Sequence, residues 1–193
     1  MQRPVPQQLW MVWPEARLKG PVDPKIPDGY FIRTYQAGDD RAFLALMALM
    51  DFDPWTQKKL DYNMSRILPG GWFFAVEAKS SSVVATAMCL HNYDGHSPFT
   101  GDLGWLACRQ DHKGKGLGYS LSACVTNRFR DAGYSRIQLH TEYHRLPAIK
   151  TYLNLGYVPV MYCQEVYELW DDACQKLDWP YTPQEWPNKV TGE

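Results

Sequence analysis

Lys113-Gly114-Lys115-Gly116-Leu117-Gly118 lies between an alternating apolar run, residues 102–109 (DLGWLACR), and an amphipathic run, residues 118–132. Glycines at alternate positions let successive main-chain N–H groups converge on one point. The helix that follows starts there, with unpaired N–H groups and the positive end of its dipole. A strand–loop–helix corner of this kind is an anion site suited to a diphosphate. Lys113 and Lys115 add two cations, and His112 stands beside them. The P-loop pattern G-x-x-x-x-G-K-S/T is absent, because no serine or threonine follows a lysine here. The dinucleotide pattern G-x-G-x-x-G is completed neither from Gly114 nor from Gly116, and no acidic residue closes a compact βαβ unit.

Downstream of the corner, Leu121, Cys124, Val125 and Phe129 form the buried face of the helix, with Gly133 as its C-terminal cap. Residues 136–141 (RIQLHT) alternate as a strand, Pro147 opens a short helix ending at Gly156, and 157–162 read as a strand. Residues 164–177 read as a helix. Upstream, 30–35 (YFIRTY) read as a first core strand, and Phe43, Leu46, Met47 and Met50 mark a helix from Asp39 to Met50. Asp53-Pro54 breaks it. A second helix is expected from Thr56 to Leu68, with Leu60, Met64 and Ile67 on one face, ending at Pro69-Gly70-Gly71. Strands near 72–78 and 83–90 follow, joined by a turn at Lys79-Ser80-Ser81-Ser82, and then a loop over 91–101. Residues 1–28 carry six prolines around Leu9–Trp13, an apolar run that adds a strand or packs as an arm. The expected organisation is an arm (1–28), one mixed α/β domain (29–177) and a tail (178–193).

With 193 residues, 45% hydrophobic and 21% charged, the chain suits one globular domain with a full core. A net charge of −1 gives no global field toward nucleic acid or an anionic membrane, so neither is expected as a partner. The five cysteines are odd in number, form no C-x-x-C and sit in apolar runs. They read as small buried hydrophobes in a reducing compartment, not a disulfide framework, and no metal is expected. No signal peptide and no run of 18 apolar residues is seen, and the expected location is cytoplasmic. Eight Trp and twelve Tyr admit two readings, a well-filled core or an aromatic-lined pocket.

Leu106 to Gly118 resembles the acetyl-CoA-binding motif of the GNAT acetyltransferases, Arg/Gln-x-x-Gly-x-Gly/Ala. Pro147 to Tyr157 (PAIKTYLNLGY) resembles their second signature, Ala-x-x-x-Tyr-x-x-x-Gly-Phe/Tyr, and the run from Arg145 is similar to a bacterial branch like mycothiol synthase. The two motifs stand in the family's order and spacing, with a strand–helix–strand unit between them. Lys113 replaces the preferred Arg or Gln, keeping charge but losing the planar fork. Arg145 stands where an Asn often precedes the second signature, and the chain after 163 reads as helix where many members finish with a strand.

The resemblance implies an α/β (α+β) fold, a mostly antiparallel sheet splayed between its two middle strands, with helices on both faces. It implies acetyl-CoA, or another acyl-CoA, as co-substrate and a small-molecule primary amine as acceptor, attacked directly in a ternary complex. A non-catalytic acyl-CoA sensor is the alternative, and a homodimer stays open. The coenzyme is expected on Leu106, Ala107 and Cys108, on Lys113, Gly114, Lys115, Gly116, Leu117 and Gly118, on Tyr119 and Ser120 in the first helical turn, and on Arg145 and Ala148. The Cys108 N–H is the implied oxyanion donor, with its thiol packed rather than nucleophilic. Tyr152 matches the tyrosine near the thioester sulfur. A phenol of pKa about 10 protonating a thiolate of about 8.5 is uphill by roughly 2 kcal/mol, so a hydrogen bond to sulfur is as credible as transfer. Glu142 and Asp102 are the expected bases, with His140, His144 and a water relay also open. Phe52, Trp55 and Tyr62, among Asp51, Asp53 and Asp61, are expected in the acceptor pocket.

Overall fold

The computed structural model describes residues 8–50, 54–93, 95 and 97–188. The elements, in chain order, are β1 (Gln8–Val12), β2 (Tyr30–Thr34), α1 (Asp39–Met47), α2 (Gln57–Met64), β3 (Ile67–Glu77), β4 (Ser82–His91) and β5 (Thr100–Cys108). After them come α3 (Leu117–Asp131), β6 (Arg136–Glu142), α4 (Leu146–Leu155), β7 (Val158–Pro159) and α5 (Glu165–Leu177). The strands form one sheet in the order β2-β3-β4-β5-β6-β1-β7, antiparallel at every junction except β5–β6.

Side-chain alternation along the central strands sends two apolar sets to opposite faces. On β4, Met88 and Leu90 join a cluster with Phe43, Leu46 and Leu60 of α1 and α2. Ala87 and Cys89 join the larger cluster with Leu121, Val125 and Phe129 of α3, Ile149 and Leu153 of α4, and Trp170 of α5. Helices therefore cover both faces. Glycine admits close packing here: a Cβ on Gly101 would meet the Phe129 ring at 2.6 Å.

Several boundaries differ from the sequence expectation: α1 ends at Met47 rather than Met50, and two further differences are larger. The second helix stops at Met64, leaving Met64 39% exposed, because Ile67 already pairs with Leu90 as strand. Pro69-Gly70-Gly71 then lies inside β3, at the irregularity between Ile67 and Trp72, where Gly70 takes φ +69°. The strand expected over 157–162 is reduced to Val158–Pro159 and a bridge between Met161 and Asn188. Pro159 brings no N–H to a ladder.

The Leu9–Trp13 run yields an interior strand. β1 pairs with β6 from Gln8↔Glu142 to Val12↔Gln138, and with β7 through Met11↔Pro159. Leu9 and Met11 are fully buried. The rest of the N-terminal segment crosses the α3–α4 face, and the Arg17 guanidinium occupies the space a Cβ on Gly156 would need. In the C-terminal segment Trp186 is buried against Trp170 and Tyr181.

Candidate active site

β5 and β6 pair only through Thr100↔Arg136, Gly101↔Ile137 and Asp102↔Gln138. Beyond Asp102 the two parallel strands part, while β6 stays paired with β1 on its other edge. A bulge on β5 lies within the parted stretch: Met88 pairs with Gly104 and Thr86 with Ala107, so Trp105 and Leu106 together face Ala87. Trp105 sits in the left-handed region at φ +50°.

The bulge also sets which main-chain groups face the gap. Arg109 N donates to Val84 O at 2.9 Å, so Val84 and Arg109 are a hydrogen-bonded pair. Alternation then makes Ala85–Cys108 a non-bonded pair and Thr86–Ala107 a bonded one. The N–H and C=O of Leu106 and of Cys108 consequently point away from β4, toward the parted β6.

A cleft of about 600 Å³ fills the gap. Asp102, Leu103, Gly104, Trp105 and Leu106 form one wall, and His140, Thr141, Glu142, Arg145, Ala148 and Tyr152 the other. Gln8 of β1 and Lys59, Leu90 and Tyr93 complete the lining.

At the open end, Gly114 and Gly116 take φ +77° and +89°, and Gly116 is the N-cap of α3. The left-handed glycine turns the chain into the helix, as the alternating glycines required. Among the described residues, the N–H groups of 114–119 donate to no protein acceptor, whereas Ser120 N reaches Gly116 O at 3.1 Å. Six successive N–H donors, the first three on the exposed residues 114 to 116, are thus presented at a helix start. Lys115 Nζ donates to Tyr30 Oη at 3.0 Å, and Tyr30 Oη lies 2.8 Å from Nδ1 of the buried His112. Bonding to Tyr30 holds the Lys115 ammonium above its usual range.

The remaining expected residues fall as follows. Asp102 is 7% exposed and accepts from Gln138 Nε2 at 2.8 Å, while Gln138 Oε1 accepts from Trp10 Nε1 at 3.0 Å. His140 Nδ1 lies 4.0 Å from Asp102 Oδ1, and its ring stacks on Trp10. Glu142 is paired with Arg145 at 2.9 Å. Burial pushes the Tyr152 phenol well above its usual pKa. Burial likewise pushes the Cys108 thiol up to about 11, and it donates to Arg109 O. The Ser120 hydroxyl is turned inward, shared between Gly116 O and Lys25 O at 3.2 Å each, and its N–H is taken by Gly116 O, so neither donor is left for a ligand at the helix start.

Phe52 lies outside the described residues. Trp55 is packed between Phe43 and Trp105, each 4.6 Å away by ring centroids, and Tyr62 donates to Tyr93 O at 2.6 Å. Neither lines the cleft; each backs a residue that does, Trp105 and Tyr93. Lys59 Nζ stands 4.9 Å from the ring centroids of both Trp55 and Trp105. The sequence reading missed several cleft residues, Gln8, Lys59, Tyr93 and Trp105 among them. Of these four, Trp105 alone carried a signal, its place on the strand leading into the glycine loop.

Parted parallel strands, a row of free N–H groups after the first, and a buried tyrosine across the gap form a single arrangement. The profile of the acetyltransferase (GNAT) family matches residues 40–157, more than half of the chain. The chain belongs to this family.

Among GNAT relatives, the mycothiol acetyltransferase of Nocardia farcinica is 26% identical over 163 residues, covering 79% of this chain and 53% of that protein. The chain spans about half the length of the curated relatives it matches. A GCN5-related N-acetyltransferase from Sphaerobacter thermophilus shares the fold over 81% of this chain and 49% of its own, with 24% identity and a TM-score of 0.65. An acetyltransferase from Salmonella typhimurium, solved with its cofactor acetyl-CoA, reaches a TM-score of 0.55 at 21% identity, over 67% of this chain and 79% of its own. An acyl-CoA suits what this GNAT chain offers: N–H donors for a diphosphate, an opened strand edge for the amides of a pantetheine arm, and a cleft for the acyl end. Among the described residues, no helix is long and apolar enough to cross a membrane.

Proposed function

We propose that this chain transfers an acetyl group from acetyl-CoA to the primary amine of a small molecule, by direct attack in a ternary complex. The observation that carries the reading is the row of N–H groups over 114–119, without protein acceptors, at the open end of the β5–β6 gap. Bound acetyl-CoA would supply an activated thioester carbonyl.

The chain's own groups divide the remaining work. Leu106 and Cys108 both aim their N–H into the gap, and of the two Leu106 lines the cleft. We therefore give the carbonyl oxygen to Leu106 N–H, two residues before the Cys108 donor of the sequence expectation, a pantetheine amide to Cys108, and no coenzyme bond to the Ala107 main chain, which is paired with Thr86. A thiol pushed up to about 11 is protonated at neutral pH, which supports a packing role for the Cys108 side chain. Tyr152, its phenol made a still weaker acid by burial, acts as a hydrogen-bond donor to the leaving sulfur.

Asp102 is the favoured base. It stands at the closed end of the gap, where the last β5–β6 pair is formed, and lines the cleft. Glu142 is held by Arg145, which favours an orienting role. Asp102 and Glu142 would also attract a cationic amine. Incubation with acetyl-CoA and a panel of small amines, with thiol release as readout, tests the reading. Coenzyme binding without release on any primary amine would point instead to a coenzyme sensor.

A further inference from the structure

The N-terminal segment does not end its course at the sheet. After the turn at Glu15–Arg17 it runs along α3 in the opposite direction, fixed at three places on one face of the helix. Arg130 Nε donates to Leu18 O at 2.8 Å. The Asn127 amide accepts from Val22 N at 2.9 Å and donates to Val22 O at 2.7 Å, as a neighbouring strand would. Ser120 Oγ donates to Lys25 O. Anchors at 130, 127 and 120 lie three and seven residues apart, so they share one side of the helix. The strap thus finishes at the first turn of α3. There Lys25, with φ +48° and its N–H donating to Asp23 Oδ1 at 3.1 Å, carries its ammonium to 5.3 Å from the Tyr119 ring centroid.

We infer that Lys25 is a coenzyme-binding residue, its ammonium pairing with the ribose 3′-phosphate of CoA. The inference rests on the acyl-CoA reading of the glycine loop. CoA carries two kinds of phosphate. The diphosphate bridge suits the N–H row of 114–119, which lies in the main chain and reaches only what touches the helix start. The phosphomonoester holds nearly two charges at neutral pH and hangs off the ribose, outside that row. A flexible ammonium presented from a separate segment is a suitable partner, as a point charge with rotatable donors. An exposed ammonium resting on the half-buried Tyr119 ring is weakly held and is released readily to a phosphate. Lys25 is exposed, and its main chain is fixed by Ser120 and Asp23, so only its side chain needs to move.

The test compares CoA and 3′-dephospho-CoA by calorimetric titration of the wild-type chain, Lys25→Met and Lys25→Arg. Methionine keeps an unbranched side chain without the charge, and thermal melting without ligand checks that the strap is intact. The expected result for Lys25→Met is a roughly ten-fold weaker Kd for CoA, the worth of one charged contact, and an unchanged Kd for 3′-dephospho-CoA. Lys25→Arg should restore most of the loss. Equal Kd values for wild type and Lys25→Met with CoA would overturn the inference, as would equal weakening for both ligands. If the wild-type chain binds neither ligand, the acyl-CoA reading itself fails, a result distinct from either.

Discussion

Asp102 Oδ1 and His140 Nδ1 stand 4.0 Å apart across the closed end of the β5–β6 gap, on the last residue of β5 that pairs with β6 and on a β6 residue just beyond its Gln138 partner. Asp102→Asn keeps the shape and the Gln138 contact but removes the basic oxygen. It should lower kcat/KM for the amine by about 10²–10⁴-fold while the Kd for acetyl-CoA stays within about two-fold. Glu142→Gln should have the smaller effect. A larger loss in Glu142→Gln would move the base to Glu142.

Tyr152→Phe should lower kcat with little change in acetyl-CoA affinity, because the phenol acts on the leaving sulfur and not on the ground state. Equal losses in both would identify a packing tyrosine.

Burial raises the pKa of both Tyr152 and Tyr157. The unfolded chain releases these protons near pH 10, and the folded chain keeps them to higher pH. Stability is therefore unaffected by either phenol below about pH 10 and falls as pH rises beyond it. In urea titrations from pH 9 to 11, Tyr152→Phe should show the shallower decline. Identical slopes would mean that Tyr152 is not desolvated in the fold.

Gly116→Val should weaken acetyl-CoA binding about ten-fold or more. No atom lies within 4 Å of a Cβ at this position, so the cause is not crowding. A side chain at φ +89° costs about 1–2 kcal/mol and drives the loop to another conformation, which disperses the N–H row. An unchanged Kd would make the loop a connector.

Cys108→Ala should retain most activity, and alkylation of Cys108 should be slow at neutral pH, with the thiol pushed up to about 11. Loss of turnover with retained coenzyme binding would indicate a covalent route.

The glycine loop, α3 and α4 were legible in the sequence because their signals are local: alternating glycines, apolar spacing on α3, and Pro147 and Gly156 at the ends of α4. The course of Leu9–Trp13 was not, since its place is fixed by pairing with β6, as in the Trp10–Gln138 bond across 128 residues of chain. The same holds for Gln8, Lys59 and Tyr93 in the cleft, which come from β1, α2 and the turn after β4. The end of α2 was misplaced because Ile67 satisfies helical spacing and strand pairing equally, and only Leu90 opposite decides between them.

The proposed diphosphate site can be read amide by amide. In a ¹⁵N–¹H titration with CoA, the N–H signals of Gly114, Lys115, Gly116, Leu117, Gly118 and Tyr119 should move together and saturate as one site. If CoA binds while those six signals stay fixed, the coenzyme is held elsewhere and the proposed site is wrong.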